Sequence, residues 1–522
     1  MSNIIPTAYD GRMKSITRTD FGVIAGIAAL YGLLTFGGIT RWSIWFDEAF
    51  SAYLMRFDMG GIMHYTAADV HPPFYYLVLK LWTLLFGTSD LALRSLSATA
   101  ILAAIIAVYL FVRHVFGLRA ALMSVALLAL SPLLIRFGQE ARMYGLVVLI
   151  TTLATWLFWV VHQNPSRRRW VAYGVLVSIG MWTNYFTAFV WAAHWLWRLL
   201  YIGEGKKLSK PTMKQFFSRE FIIAHVVAVV GFLAWIPFLF IQFSTIQAAG
   251  FWIRAVDIDT LTNLLTDNLL YLDHYEVIGW LAVLVMTIVS IVVFLYVKKL
   301  PEFSSEKRSA LMLFILTAVV PIAALFVLSL WPLRPLFMDR YLLPSTVWLI
   351  VTAGIVLSLV VKDKALNRLS LVGFSLMILA FGIGAYNVYT IGNFNRASWE
   401  TMAVKPVMEQ IQASKPGVPI LTDSPWRFYE AIQYDTPEHP VYFVNEGTPF
   451  GSYNMLRDSD FRKIYDLEDF VSQHDKIWYI GLYHDDKPHM PAGNWRVLKT
   501  IKGPQTRKSS GTTYAFLLER AD

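Results

Sequence analysis

The chain has 522 residues, 56% hydrophobic and 16% charged, an apolar excess well beyond what the core of a water-soluble domain uses. It carries a net charge of +9 and no cysteine, which excludes disulfides, thiolate metal sites and cysteine nucleophiles. The basic residues lie mostly in short loops between apolar runs, so the charge reads as membrane topology and not as a nucleic-acid-binding surface.

Arg12, Lys14 and Arg18 precede the first apolar run, 21–40, which is longer than the apolar core of a signal peptide and reads as an uncleaved span with a cytoplasmic basic flank. The loops holding Arg113 and Arg119, Arg167 to Arg169, 206–219, 298–308 and 362–368 are then cytoplasmic too. This sets a parity. The second span is 91–112, and the shorter run 74–86, which follows Pro72 and Pro73 and contains Lys80, lies in the outer interface. Residues 41–90 thus form one large outer loop. Spans 120–137 and 143–162 follow, then a hairpin over 170–201 with Thr183, Asn184, Tyr185 and Phe186 near its outer apex. The runs 221–241, 277–297, 310–331, 341–361 and 369–391 complete an all-α polytopic membrane body over 1–391, with about 11 helices of roughly 20 residues each. Residues 392–522 are polar and read as a small soluble extracytoplasmic α/β domain. There Val404, Val407, Met408 and Ile411 have helical spacing, 418–422, 441–444 and 476–482 read as strands, and 426–433 and 466–474 as helices.

This threading gathers Asp47, Glu48, His71, Glu140, Arg142, Asn184, Tyr185, Arg334, Asp339 and Arg340 on the outer side. Carboxylates facing arginines there suit a reaction between an anionic lipid head group and a hydroxyl nucleophile. Phe50, Tyr53, Leu54 and Phe57 mark an amphipathic helix with Asp47 at its start, where a carboxylate either caps the helix or is held rigidly against a substrate. Glu140 has two readings as well, since Arg136 and Arg142 are near enough in sequence to form an ordinary surface salt bridge with it. His71 either bonds backbone or serves the site.

Six segments then occur in an order that resembles the motifs of GT-C glycosyltransferases, in the branch of the protein O-mannosyltransferases and the lipid A aminoarabinose transferases. They are Trp45-Phe46-Asp47-Glu48-Ala49, His71-Pro72-Pro73-Phe74-Tyr75-Tyr76, Arg94-Ser95-Leu96-Ser97, Gln139-Glu140-Ala141-Arg142-Met143-Tyr144, Thr183-Asn184-Tyr185-Phe186 and Arg340-Tyr341-Leu342-Leu343-Pro344. The tail adds only Trp399 at the start of its first helix. The resemblance implies transfer of a hexosyl or pentosyl unit from a polyprenyl-phosphate carrier to an acceptor hydroxyl of a glycan, lipid or protein, by single displacement with inversion. The place implied is the outer face of the inner (plasma) membrane, with a cytoplasmic N-terminus.

On the same ground Asp47, Glu48 and Glu140 are expected to be catalytic, Asp47 as base or ion ligand and Glu48 in support. His71, Arg142, Tyr144, Asn184, Tyr185, Arg334, Arg340 and Tyr341 are expected to bind substrate, with Arg340 and Arg334 on the lipid phosphate. A divalent cation, Mg2+ or Mn2+, bridging Asp47, Glu140 and phosphate is compatible with this, though two carboxylates are too few to require one. Asn184 stands where relatives commonly carry His, which removes an imidazole role at that position. The competing class is a membrane transporter or flippase of lipid-linked sugars, which calls for ionisable residues at the bilayer midplane and repeated halves. Asp257-Ile258-Asp259 spells the D-x-D of nucleotide-sugar enzymes but falls in an expected outer loop, and so short a pattern arises readily by chance.

Overall fold

The computed structural model describes residues 16–203, 210–249, 303–330, 336–359, 363–391, 403–414, 417–445, 451–483, 490–491, 493–504 and 511–521, with 256, 257, 260, 284, 285, 287–291, 295 and 447. The chain enters through α1 (Arg18–Phe36), where the Thr17 hydroxyl accepts the Asp20 N–H and the Asp20 side chain answers to the Thr17 backbone. Three shorter helices fill the large loop: α2 (Phe46–Leu54), α3 (Met59–Ala68) and α4 (Phe74–Phe86). Next come α5 (Asp90–Val115), the pair α6 (Leu118–Leu130) and α7 (Pro132–Gly138), and α8 (Tyr144–Gln163). The hairpin is α9 (Arg167–Thr183) and α10 (Thr187–Gly203), followed by α11 (Lys210–Phe216) and a second pair, α12 (Arg219–Leu233) and α13 (Ile236–Ala249). Helices α14 (Ser305–Leu328), α15 (Leu343–Leu357) and α16 (Lys364–Ile391) close the body.

Among the described residues, six helices are long and apolar enough to cross a membrane, or up to eight if each bent pair counts as one span. About eleven were expected; the two hairpin arms, at 17 residues each, fall just short of that length, and most of 277–297 lies outside the described residues. Two spans expected to be straight are broken. α6 and α7 meet at 56°, because Pro132 has no N–H to continue the ladder and holds Ser131 at ψ 117. α12 and α13 meet at 61°, one residue before Pro237 begins to act from the second position of α13.

The ends of the helices sort themselves by chemistry. At one end Arg113, in the last turn of α5, bonds Asp20 at the start of α1 at 3.2 Å, and the Tyr109 hydroxyl donates to the same carboxylate at 2.6 Å. α1 and α5 therefore run in opposite directions, as the expected parity requires. Close helix contact depends on a glycine at one place that matters below. A Cβ on Gly145 of α8 would lie 2.7 Å from the Ser97 carbonyl oxygen of α5, so only glycine allows these backbones to touch.

The C-terminal region holds α17 (Val404–Gln412), β1 (Ile420–Thr422), α18 (Pro425–Ile432), β2 (Val441–Val444), α19 (Asn454–Arg457) and β3 (Lys463–Ile464), then α20 (Leu467–Ser472), β4 (Lys476–Tyr483), β5 (Trp495–Lys502) and β6 (Thr512–Arg520). The sheet order is β3-β2-β1-β4-β6-β5, parallel from β3 to β4 and antiparallel through β6 and β5. α17 buries Val404, Val407, Met408 and Ile411, the stripe its spacing predicts. β3, β5 and β6 were not expected. The sheet region is bonded to the helical body: Tyr434 Oη accepts the Ile44 N–H at 3.1 Å and donates to Asp90 at 3.1 Å, and the Lys405 N–H donates to Ser43 Oγ at 2.9 Å.

Candidate active site

The site lies at the helix ends opposite the Asp20–Arg113 pair. α2 delivers its first acid differently from the expected cap. Trp45 is the N-cap and makes no side-chain cap bond, so Asp47 is inside the first turn, its carboxylate facing Arg340 and Arg142. Arg340, in the 3-10 turn Asp339–Leu342, donates Nη1 to Asp47 Oδ2 at 3.0 Å. Arg142, between α7 and α8, places Nη2 3.8 Å from the same oxygen and donates Nη1 to the Asp47 carbonyl at 3.1 Å and to Tyr76 Oη at 3.0 Å. The arginine side chains are 8% and 3% exposed and Asp47 22%, so the carboxylate is the part of the cluster a ligand can reach. Burial pushes the Asp47 carboxyl upward, but Arg142, Arg340 and His71 outweigh it and hold it below the ordinary carboxylate range.

Glu48 is one position on, about 100° around the helix, and points elsewhere. It is wholly enclosed, with Oε1 and Oε2 each 2.7 Å from the Arg94 guanidinium and Oε1 also accepting the Ala141 N–H at 2.8 Å. Arg94 spends its other donors on the carbonyls of Ile39, Trp42 and Ser43. This pair braces the segment leading into α2 against the loop that carries Glu140 and Arg142, apart from the Asp47 cluster.

Glu140 is 1% exposed, and neither carboxyl oxygen has a hydrogen-bond partner among the described residues. The salt bridge considered for it is not made: Arg136 is turned by the α6–α7 bend onto Asp339 at 2.8 Å, and Arg142 onto Asp47. Burial raises the Glu140 carboxyl to about 7, with Arg136 pulling the other way.

Other expected residues divide into those that line the cavity and those that shape it. Tyr144, Asn184, Arg340 and Tyr341 line a narrow recess whose remaining wall includes Val147 and Val190. The Tyr144 hydroxyl is buried there without a hydrogen-bond partner among the described residues. Tyr341 packs against Phe186 with ring centres 4.1 Å apart and the rings tilted by 31°. Asn184 Oδ1 accepts the Phe186 N–H at 2.9 Å and so makes the hairpin turn. Tyr185 donates to Gln242 Oε1 at 2.5 Å and accepts from Trp235 at 2.7 Å, tying the apex to the α12–α13 bend. His71 faces Asp69 and Arg142, each at 3.5 Å. Arg334, Trp399 and Asp259 lie outside the described residues. Asp257 Oδ1 accepts from the N–H and hydroxyl of Thr260.

Asp339, gathered with the outer-side residues, pairs with Arg136; Arg136 and Asp69 shape the site without having been expected in it, and Arg94 and Tyr76 had appeared only within the motifs. A signal existed for Arg94, since an arginine within an apolar helix needs a buried partner. As for a metal, no group of three or more His, Asp or Glu side chains among the described residues is placed to hold one. Asp47 is already neutralised by two guanidiniums. The described residues do not form a divalent-ion cage.

With this geometry in place, comparison with known proteins is informative. Residues 70–241 match the family described as dolichyl-phosphate-mannose-protein mannosyltransferase. That segment includes His71, Glu140, Arg142 and Asn184, but neither Asp47 nor Arg340. ArnT from Cupriavidus metallidurans in the apo state superposes with a TM-score of 0.59 at 14% identity, over 95% of this chain and 98% of that one. The same protein bound to undecaprenyl phosphate gives 0.58 at 15% identity, again over 95% and 98%. No protein of curated function matches the sequence. A multi-span helical body with a small C-terminal sheet, in the arrangement of ArnT, defines a GT-C fold. The chain thus has the fold of ArnT, and its residues 70–241 are similar to the dolichyl-phosphate-mannose-protein mannosyltransferases.

Proposed function

We propose that this protein transfers a sugar from a polyprenyl-phosphate carrier to an acceptor hydroxyl at the outer face of the cytoplasmic membrane, by a single displacement that inverts the anomeric centre. The observation that carries this reading is the Asp47 carboxylate held between Arg340 and Arg142, beside a recess that is polar at Arg340 and Tyr144 and apolar at Val147 and Val190. A polyprenyl-phosphate sugar presents the matching pair, an anionic phosphodiester and a hydrocarbon chain, and its head gains a second charge as the sugar leaves. Arg340 would take the phosphate and stabilise the charge that builds on it as the glycosidic bond breaks. Asp47 would receive a hydrogen bond from the acceptor hydroxyl and set its oxygen in line with the anomeric carbon. Glu48 and Arg94 hold the loop that makes this alignment possible. The N-terminus is placed in the cytoplasm and the sheet domain outside by the positive-inside bias.

The test uses purified protein in lipid nanodiscs with a panel of undecaprenyl-phosphate-linked hexoses and pentoses and an extract of envelope glycans, glycolipids and proteins. The expected result is release of undecaprenyl phosphate with one donor, abolished in Asp47→Asn. Movement of intact lipid-linked sugar across proteoliposomes, with no cleavage of any donor, would overturn it in favour of a flippase.

A further inference from the structure

The outer surface of α10 and α12 carries a groove remote from the Asp47 cluster. Its rims are Trp195, Phe217, Ile222, Val226, Val229 and Val230, each between 45% and 63% exposed, and Phe221 and His225 complete its wall. The polar atoms there are spent on one another. Trp195 Nε1 donates to His225 Nε2 at 2.8 Å, so the imidazole hydrogen is on Nδ1, which donates to the Phe221 carbonyl at 2.7 Å. A wall with no free donor or acceptor takes hydrocarbon and penalises a sugar or a nucleotide.

The direction of the groove follows from the helices that make it. Asn184, which lines the recess of the site, precedes α10, and Trp235, just past the end of α12, bonds Tyr185 at the same apex. The other end of α10 and the start of α12 therefore lie away from the site, and there the groove begins at Phe217. From Phe217 to Val230 it runs about 20 Å, at 1.5 Å per residue, against about 30 Å for a whole hydrocarbon core. It takes a chain entering from that end and stops short of the opposite surface.

The mouth is basic and rigid. Arg219 heads the exposed stripe Ile222, Val226, Val230 at steps of three and four, and so shares its face of α12. Lys214 stands one turn before Phe217, whose N–H still donates to the Met213 carbonyl at 3.0 Å. Both cations are exposed, and neither forms an ion pair among the described residues. Glu220, the adjacent acid, interacts with Arg198. Arg198 in turn pins the mouth to α10, donating to the carbonyls of Phe216 and Gln215 at 2.9 Å each and to Ser218 Oγ at 3.2 Å. Membrane topology alone accounts for basic residues in this loop, but it does not require an apolar groove that continues from them.

We propose that the groove holds one acyl chain of an anionic phospholipid from the leaflet away from the site, with its phosphate against Lys214 and Arg219. The carrier lipid of the transfer reading belongs at the other end, beside Arg340, so the two lipids occupy separate places.

The experiment reconstitutes the full-length protein in phosphatidylcholine nanodiscs with a minor share of phosphatidylglycerol, strips it mildly into detergent and counts retained lipid by native mass spectrometry. One phosphatidylglycerol per chain is expected, preferred over phosphatidylcholine by at least about tenfold. Lys214→Gln and Arg219→Gln are each expected to cost about fivefold in retention; the second change spares α12, since a cation at a helix start opposes the helix dipole. Val226→Trp with Val230→Trp fills the groove and keeps both cations, and is expected to abolish retention. Val319→Trp, at an exposed position of α14, is the control for an indole added to the lipid face and should retain the phospholipid. A wild type that keeps no phospholipid or keeps both kinds equally overturns the proposal. So does retention that survives the filled groove, retention lost in the control as well, or capture of undecaprenyl phosphate in place of phosphatidylglycerol that the same variants abolish.

Discussion

Asp47 and Arg340 lie 293 positions apart in sequence and 3.0 Å apart in space. One comes from the first turn of α2, the other from the 3-10 turn that precedes α15, so the contact closes the site between the two ends of the helical body. Asp47→Asn keeps the shape but removes the charge that both arginines face. We expect turnover to fall by about 10²- to 10⁴-fold, with the fold retained but a melting temperature below wild type, because Arg340 and Arg142 lose the charge they face. Arg340→Ala should chiefly raise the donor concentration needed for half-maximal rate, and Arg340→Lys should recover only part of it, because an ammonium lacks the planar fork. A donor titration of the three variants checks this; an unchanged donor dependence in Arg340→Ala would remove phosphate contact from its role.

Glu48 and Arg94 form a buried pair of a different kind. Both Glu48 oxygens and the Arg94 donors are used within the protein, so removing one partner leaves an uncompensated charge. Arg94→Met should cost about 3–5 kcal/mol in stability. The double variant Glu48→Met with Arg94→Met should not recover fully, because the carbonyls of Ile39, Trp42 and Ser43 also lose their donor, at about 1–3 kcal/mol for each one left buried and unpaired. Thermal unfolding in detergent, scored with donor turnover, separates these outcomes.

The contrast between these neighbouring acids shows what was legible in the sequence. The start of α2 and the importance of its acids could be read from local pattern and motif order. That Asp47 leads and Glu48 supports came only from the motif resemblance, because local pattern does not say which way two adjacent helical positions, about 100° apart, face, and their partners, Arg340 and Arg94, are remote in sequence. The same limit applies to Glu140, whose nearby arginines pair with Asp339 and Asp47 instead. The bend at Pro132 did have a local signal, a proline within an apolar run, which span length alone obscured. In the sheet region, β1, β2 and β4 carry buried apolar side chains and were foreseen, whereas β5 is mostly exposed and lacks the alternation by which a strand is recognised.

Glu140 should make stability depend on pH. Its carboxyl is raised from 4.5 to about 7 by burial, so the folded state holds a proton that the unfolded chain has given up. The contribution is fully present below about 4.5 and is lost as pH rises through about 7, in all on the order of 3 kcal/mol. Glu140→Gln, which stays neutral, should flatten this part of the profile and melt above wild type at pH 8. Melting temperatures of both proteins between pH 5 and 8 provide the check; parallel profiles would show that Glu140 does not titrate in this window.

Gly145 offers a test of how closely the site depends on helix packing. An added Cβ would sit 2.7 Å from the Ser97 carbonyl oxygen and 3.0 Å from its Cα, both backbone atoms that cannot rotate away. Ser97 Oγ also donates to the Arg142 carbonyl at 3.0 Å, so separating α5 from α8 moves the arginine that flanks Asp47. Gly145→Ala should therefore cost about 1–3 kcal/mol and reduce turnover as well. Gly22→Ala in α1 is the control: nothing lies within 4 Å of its Cβ, and alanine is the better helix former by about 1 kcal/mol. That variant should be neutral or slightly stabilised with full activity. If Gly145→Ala melted and turned over like the control, the close approach of α5 and α8 would not be what sets Arg142 in place.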